Sequence, residues 1–297
     1  MRLLRIAGAA VLLLMVAACS APATLGPRVS PQEIQAEEMA QQRMFDEVAK
    51  TGGRPRPWRK GKQMSKRFAA VAERLEPVAA KICQEMGLPK LKRRCYFYFK
   101  LKLGDEINAY ADGDTIIFTY GIMRFFENDD ELAMVMAHEL AHNLMGHLKA
   151  QRENMKMGLF LGEMMDNLDG GYSGTRSKEW RDSGVLAGAL AYSQSFEAEA
   201  DYIGLYIAAR AGYDMRKALD YWRRLSIEHP ELIYVSTTHP SNPERIAMLK
   251  KGMEEIEYKR KHRLPLLPEM KGIPIEGDYK TKTNLDIYLE QEAPWLN

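Results

Sequence analysis

The chain has 297 residues, 46% of them hydrophobic and 28% charged, with 42 Lys+Arg against 40 Asp+Glu and a formal net charge of +2. That is the make-up of a globular protein able to bury a substantial core, and it excludes disordered, collagen-like and coiled-coil classes. Three cysteines are too few for a disulfide-built scaffold, and a charge so near zero lacks the basic footprint of a nucleic-acid binder.

Residues Met1–Cys19 read MRLLRIAGAAVLLLMVAAC. Arg2 and Arg5 precede an apolar run from Ile6 to Val16 that is too short for a comfortable membrane span, and Ala17-Ala18 supply small residues before a cut. Val16-Ala-Ala-Cys19 resembles the bacterial lipobox, which implies acylation of Cys19 and attachment to a membrane through lipid. Ser20, in place of Asp, implies sorting to the outer membrane of a Gram-negative envelope, with the body in the periplasm. Removing residues 1–18 takes away two Arg and no acid, leaving 40 basic and 40 acidic residues. Arg54–Lys102 nevertheless holds 15 basic residues and 3 acidic ones, a stretch able to face anionic headgroups or simply to be a solvated surface.

Past the leader, a Pro-rich start, a helical stretch over Pro31–Lys50 and the sequence TGGRPRPW read as a tether. Apolar residues at helical spacing predict a helix over Met64–Met86, with Pro77 marking a kink or break. Arg94–Leu103, Ile107–Tyr110 and Thr115–Tyr120 read as strands, the last two joined by a hairpin turn at Ala-Asp-Gly-Asp. Cys83 and Cys95, close in sequence and in an oxidising compartment, are expected to pair and tie the end of the helix to the first strand. Asn128 caps a helix expected to run from Glu131 to about Lys149. Met155–Tyr192, rich in Met, Gly and Ala, reads as two amphipathic helices around a polar connector, either core or an adaptable lid. Further helices are expected over Phe196–Ala211, ending at Gly212, and from a Ser241–Glu244 capping box to about Lys261. Few strands followed by many helices indicate an α+β fold, mainly helical with a small antiparallel sheet.

The chemistry centres on His138-Glu-Leu-Ala-His142. The two histidines lie about 40° apart around a helix, so both imidazoles leave one face, as two corners of a tetrahedral zinc site require. Glu139, beside them, suits the general base that activates a water. His147 falls about 140° from His142 on a continuous helix, off the metal face, and reads as a helix-end or supporting residue. A third ligand is required, and Met145 and Leu148 stand where a metzincin has Gly and His. Glu197 and Asp201 share a face of a helix carrying Ala200, Gly204 and Ala208, small residues that allow close approach to another helix. Two such carboxylates need a partner when buried, and a metal with its ligands provides one. Glu197 completes a His2Glu set, while Asp201 accepts from a ligand imidazole. Glu199, about 200° from Glu197, is expected to face solvent.

HELAH followed by FEAEAD resembles the HtpX/BepA-like gluzincin family, which includes the CAAX prenyl proteases and the Oma-type mitochondrial proteases. Asn108-Ala-Tyr110 and Thr238-His-Pro240 through Arg245-Ile246 are similar to further motifs of that family, so the resemblance runs from about Phe68 to Leu249. It implies a one-zinc endopeptidase with His138, His142 and Glu197 as ligands, the last packed against the HExxH helix, and Asp201 in support. It also points His239 into the cleft as an oxyanion stabiliser or transient fourth metal contact, with Asn108 and Arg245 nearby. The membrane helices and helical-repeat tail of relatives are not seen here, so a compact lipid-anchored member is expected. Its organisation is a signal over 1–18, a tether over 19–62, a zinc metallopeptidase domain over 63–261 and a tail over 262–297. Misfolded or unassembled envelope polypeptides are the implied substrates. The alternatives are an exopeptidase, or a non-catalytic chaperone lipoprotein on a protease fold.

Overall fold

The computed structural model describes residues 22–51, 61–88, 93–168, 175–190, 193–228 and 243–271. The signal segment, Cys19, His239 and the tail beyond residue 271 lie outside them. The elements in chain order are α1 (Pro31–Thr51), α2 (Gly61–Glu85), β1 (Tyr98–Lys102), β2 (Ala109–Ala111), β3 (Thr115–Thr119) and the short α3 (Tyr120–Met123). There follow α4 (Asp129–Met145), α5 (His147–Leu168), α6 (Thr175–Leu190), α7 (Ser193–Arg210), α8 (Met215–Glu228) and α9 (Pro243–Lys261).

Two central helices, α4 and α7, pack against each other and are buried on almost every side. Their contact is close because Gly204 carries no side chain; a Cβ there would lie 3.0 Å from the backbone nitrogen of His138. Around this pair sit α2, α8 and α9, with the sheet on the flank of α4. α2 continues through Pro77 as one helix, held on its inner side by buried Leu75, Ala79 and Ile82 while Pro77 faces water. Cys83, near its end, is disulfide-bonded to Cys95, three residues before β1, with Cα atoms 5.6 Å apart.

The sheet has the order β1-β3-β2, and it is mixed rather than wholly antiparallel. β2 and β3 form the expected hairpin, with Asp112 accepting from the backbone nitrogens of Asp114 and Thr115 at 3.1 and 2.7 Å. β1, however, runs parallel to β3 in register Tyr98 to Thr115. The connection after β1 crosses the end of β3, where the Thr119 hydroxyl donates to the Glu106 carbonyl at 2.5 Å and Gly121 N–H to the Gly104 carbonyl at 3.0 Å. That crossing carries β2 to the far edge and leaves β1 alongside β3 in the same direction.

The largest departure from the expected elements is at Gly146. The HExxH helix stops there, with Gly146 at φ 63° and its N–H donating to the carbonyls of Asn143 and His142. A left-handed residue turns the chain axis, so α5 begins as a separate helix and does not continue α4. α5 and α6 form an antiparallel hairpin in which Gly158 faces Gly184, Gly162 faces Trp180 and Gly188 faces Asn154, backbone against backbone. It exposes Leu159, Phe160, Met164, Leu186 and Leu190.

Segments at both ends of the described chain also pack on the body. Ser30 and Glu33 form a capping box that opens α1, with Ser30 N–H donating to Glu33 at 2.6 Å. α1 lies on α8 and α9, where buried Glu37 pairs with Arg223 at 2.6 Å and with Lys250. Residues 23–25 pair with 269–271, through Leu25 N–H to the Glu269 carbonyl at 2.8 Å and Lys271 N–H to the Ala23 carbonyl at 2.7 Å. Buried Lys259 holds this strap, pairing with Glu255 and Glu269 at 2.8 Å each. Among the described residues, no helix is long and apolar enough to cross a membrane.

Candidate metal centre

Packing α4 against α7 brings His138, His142 and Glu197 together, with one ligand atom of each within 4.8 Å of the others. His138 Nε2 lies 3.0 Å from His142 Nε2, and the Glu197 oxygens lie 3.3 Å from each imidazole nitrogen. Zinc bonds to nitrogen and carboxylate oxygen at about 2.0–2.1 Å, so two corners of its tetrahedron stand roughly 3.3 Å apart. The set therefore has the spacing of three corners. His142 and Glu197 keep side-chain exposures of 11% and 12%, so the fourth side opens outward, whereas the His138 side chain is fully buried.

The hydrogen bonding around the set decides which atoms face inward. His138 Nδ1 lies 2.7 Å from Asp201, and Arg245 binds the same carboxylate with two nitrogens at 2.6 and 2.8 Å. A carboxylate engaged by Arg can only accept, so His138 carries its proton on Nδ1 and turns the Nε2 lone pair towards His142 and Glu197. Burial resists ionisation of Asp201, but the charges of Arg245 and His138 outweigh it and hold the carboxyl below its usual range. Burial likewise opposes a charge on His138, yet Asp201 outweighs it and raises the imidazole pKa. Two imidazole nitrogens and a carboxylate converging on one point, with the proton affinity of His138 raised, are a donor set that fits a cation.

Besides gripping Asp201, Arg245 stacks 3.8 Å over the ring of Trp222. Trp222, from α8, also meets the His138 ring edge-on with centroids 6.1 Å apart. Neither contact was legible, because α8 is an ordinary amphipathic helix whose aromatic stripe reads as core. Glu139 is buried beside His138 on α4. Asn143 joins the site to the sheet: its side chain accepts from Gly113 N–H at 2.8 Å and donates to the Thr115 carbonyl at 3.3 Å, pinning the β2–β3 turn to the HExxH helix. Asn108 is exposed at the start of β2, where its backbone bonds Thr119.

One expectation about the surroundings is overturned, and a second is borne out with a different geometry. Glu199 does not face solvent; it is 3% exposed, because α7 is covered on that side by α5 and the segment around Thr24. Its oxygens lie 2.8 Å from His147 Nε2 and 2.6 Å from the backbone nitrogen of Thr24. His147 is the helix-end, supporting residue that its spacing implied, but it turns back towards a ligand ring. With the helix broken at Gly146, its Nδ1 comes back to 2.9 Å from His142 Nδ1, and its ring stacks on Phe196 at 4.6 Å. Burial is the dominant influence on His147 and lowers its pKa to about 4, so it is neutral at pH 7. For Glu199 burial is outweighed by His147 and Thr24, and the carboxyl titrates below its usual value.

Comparison with known proteins gives the family of the chain. The sequence model of Peptidase family M48 matches residues 65–252, a span that contains every residue of the centre described above except Thr24. A beta-barrel assembly-enhancing protease of Escherichia coli (strain K12) is 30% identical over 165 residues, covering 51% of this chain and 33% of that protein. The mitochondrial metalloendopeptidase OMA1 of Schizosaccharomyces pombe is 30% identical over 160 residues, 52% of this chain and 45% of its own. OMA1 of Arabidopsis thaliana is 32% identical over 155 residues, covering 50% and 30%. The chain thus matches between 30% and 45% of the length of these relatives.

Proposed function

The chain belongs to Peptidase family M48, and on that premise we propose that it is a zinc-dependent endopeptidase of the bacterial envelope. Its substrates in this reading are misfolded or unassembled envelope polypeptides, reached from a lipid anchor on Cys19 in the outer membrane. The observation that carries the reading is the convergence of His138, His142 and Glu197 at tetrahedral spacing beside buried Glu139. The relatives, a beta-barrel assembly-enhancing protease and metalloendopeptidases, support the substrate class and the cleavage mode.

His138, His142 and Glu197 would hold the ion. Zinc, when bound, supplies a Lewis acid for the scissile carbonyl and lowers the pKa of a water towards neutrality. Glu139 takes a proton from the attacking water and returns it to the leaving amine nitrogen, a transfer that needs a carboxylate screened from bulk solvent. Asp201 and Arg245 keep the His138 ring fixed and its proton on Nδ1. His239 steadies the oxyanion in this reading. β2 is an edge of the sheet, joined to the HExxH helix through Asn143, and an extended segment adding to it would lie along the catalytic helix. Edge pairing reads backbone rather than side chains, which suits unfolded substrates. The α5–α6 hairpin presents Leu159, Phe160, Met164, Leu186 and Leu190 to solvent, a further apolar surface on which an unfolded chain could rest.

The test is zinc content together with cleavage of an unfolded protein by wild type and Glu139→Gln. Wild type should hold one zinc per chain and cut internally, and the Gln variant should hold zinc and lose roughly 10²–10⁴-fold in rate. A protein without zinc, or a Gln variant as active as wild type, refutes the reading. Release of terminal residues alone would make it an exopeptidase.

A further inference from the structure

His147 and Glu199 are left unused by the hydrolytic machinery, yet both are buried and both have partners on either side. Starting from the outer end, Thr24 N–H donates to Glu199 Oε1 at 2.6 Å. The other oxygen, Oε2, lies 2.8 Å from His147 Nε2. His147 Nδ1 lies 2.9 Å from His142 Nδ1, and His142 Nε2 is the atom that faces His138 and Glu197. Four groups thus form one hydrogen-bonded line from the N-terminal segment to the metal centre.

We propose that His147 and Glu199 are positioning residues that fix the tautomer of His142, so that its Nε2 lone pair is directed at the metal. The inference rests on the reading of His142 as a ligand. Its logic is donor parity. A carboxylate that already accepts from Thr24 can only accept from His147, so the His147 proton sits on Nε2. The His147 Nδ1 is then an acceptor, and the atom facing it, His142 Nδ1, must carry a hydrogen. A neutral imidazole has one N–H, so His142 Nε2 is left with a lone pair. Reversing any member reverses every bond after it. Stacking on Phe196 and the turn at Gly146 hold the His147 ring in the one orientation that lets it relay.

The arrangement mirrors the other ligand. His138 is set directly by Asp201, whose second donor is Arg245. His142 is set by Glu199 through one intervening ring, with the Thr24 backbone as the second donor. Positions 199 and 201 of one helix therefore set both histidines, and residue 24 takes part only five residues after Cys19.

Glu199→Gln tests the relay with little change of shape, because its amide N–H can donate to His147 Nε2 and drive the line into the opposite parity. His147→Phe keeps the stacked ring and removes both bonds. Zinc affinity of the full chain, measured by competition with a chromophoric chelator, should weaken about 10–100-fold in each variant. Nitrogen-15 NMR of the histidine side chains should show His142 protonated on Nδ1 in wild type and shifted towards Nε2–H in Glu199→Gln, a change that loss of packing alone would not produce. Both variants binding zinc within about twofold of wild type would overturn the relay, as would wild-type His142 protonated on Nε2. That last measurement needs no variant, so it decides the matter even where a substitution fails to fold. The parent reading fails separately, if wild type binds no zinc or if His142→Ala binds it as tightly.

Discussion

Replacing Asp201 by Asn should separate two roles that one carboxylate plays. Asp201 and Arg245 are 3% and 5% exposed, and they meet through two short bonds with the guanidinium stacked on Trp222. Removing the negative charge leaves Arg245 buried beside Glu197, whose carboxylate lies 4.0 Å away. Breaking one side of such a pair costs about 3–5 kcal/mol, which in a chain of this size lowers the melting temperature by roughly 6–20 °C. The Asn amide can also donate to His138 Nδ1, moving the ring proton to Nε2 and weakening zinc about 10–100-fold. The double variant Asp201→Asn/Arg245→Met removes both buried charges, and its stability should recover most of the loss while zinc affinity does not recover. Thermal unfolding of the zinc-free proteins gives the first quantity and chelator competition the second. A single variant within about 1 kcal/mol of wild type, or a double variant that regains zinc affinity, would refute the assignment of the two roles.

Three further outcomes are expected. Stability should fall as pH drops from about 6.5 to about 4, because the unfolded chain protonates His147 over that range while the folded one does not, a loss on the order of 3 kcal/mol. Melting temperatures against pH should show this slope in wild type and lose it in His147→Phe. Glu33, Glu37, Glu199 and Asp201 have lowered pKa values and add a further loss only below about pH 4.5. Gly204→Val should cost about 1–3 kcal/mol by forcing α7 off the HExxH helix, read from the denaturant midpoint, and should weaken zinc as well. Cys83→Ser/Cys95→Ser should cost about 2–3 kcal/mol for a 12-residue separation while leaving zinc content unchanged.

The chemistry of this protein was legible wherever it depended on one helix at a time. Residues four apart share a helix face, so His138 with His142 and Glu197 with Asp201 could be paired on paper, and the small residues around Gly204 announced a close crossing. The same arithmetic failed at His147 and Glu199, for a physical reason in each case. It assumed one helix through Gly146, and the left-handed turn there sends His147 back to its neighbour's ring. It treated α7 as having a wet side, and that side is covered by α5 and by a strap from residue 24, 175 positions away from Glu199. The parallel pairing of β1, the stack of Arg245 on Trp222 and the anchoring of the hairpin by Asn143 are likewise contacts between elements with no local signature. Sequence alone thus determined the donor types, their helix faces and the family. The tertiary structure decided which second partner each carboxylate has, and with it which nitrogen of each histidine faces the candidate metal site.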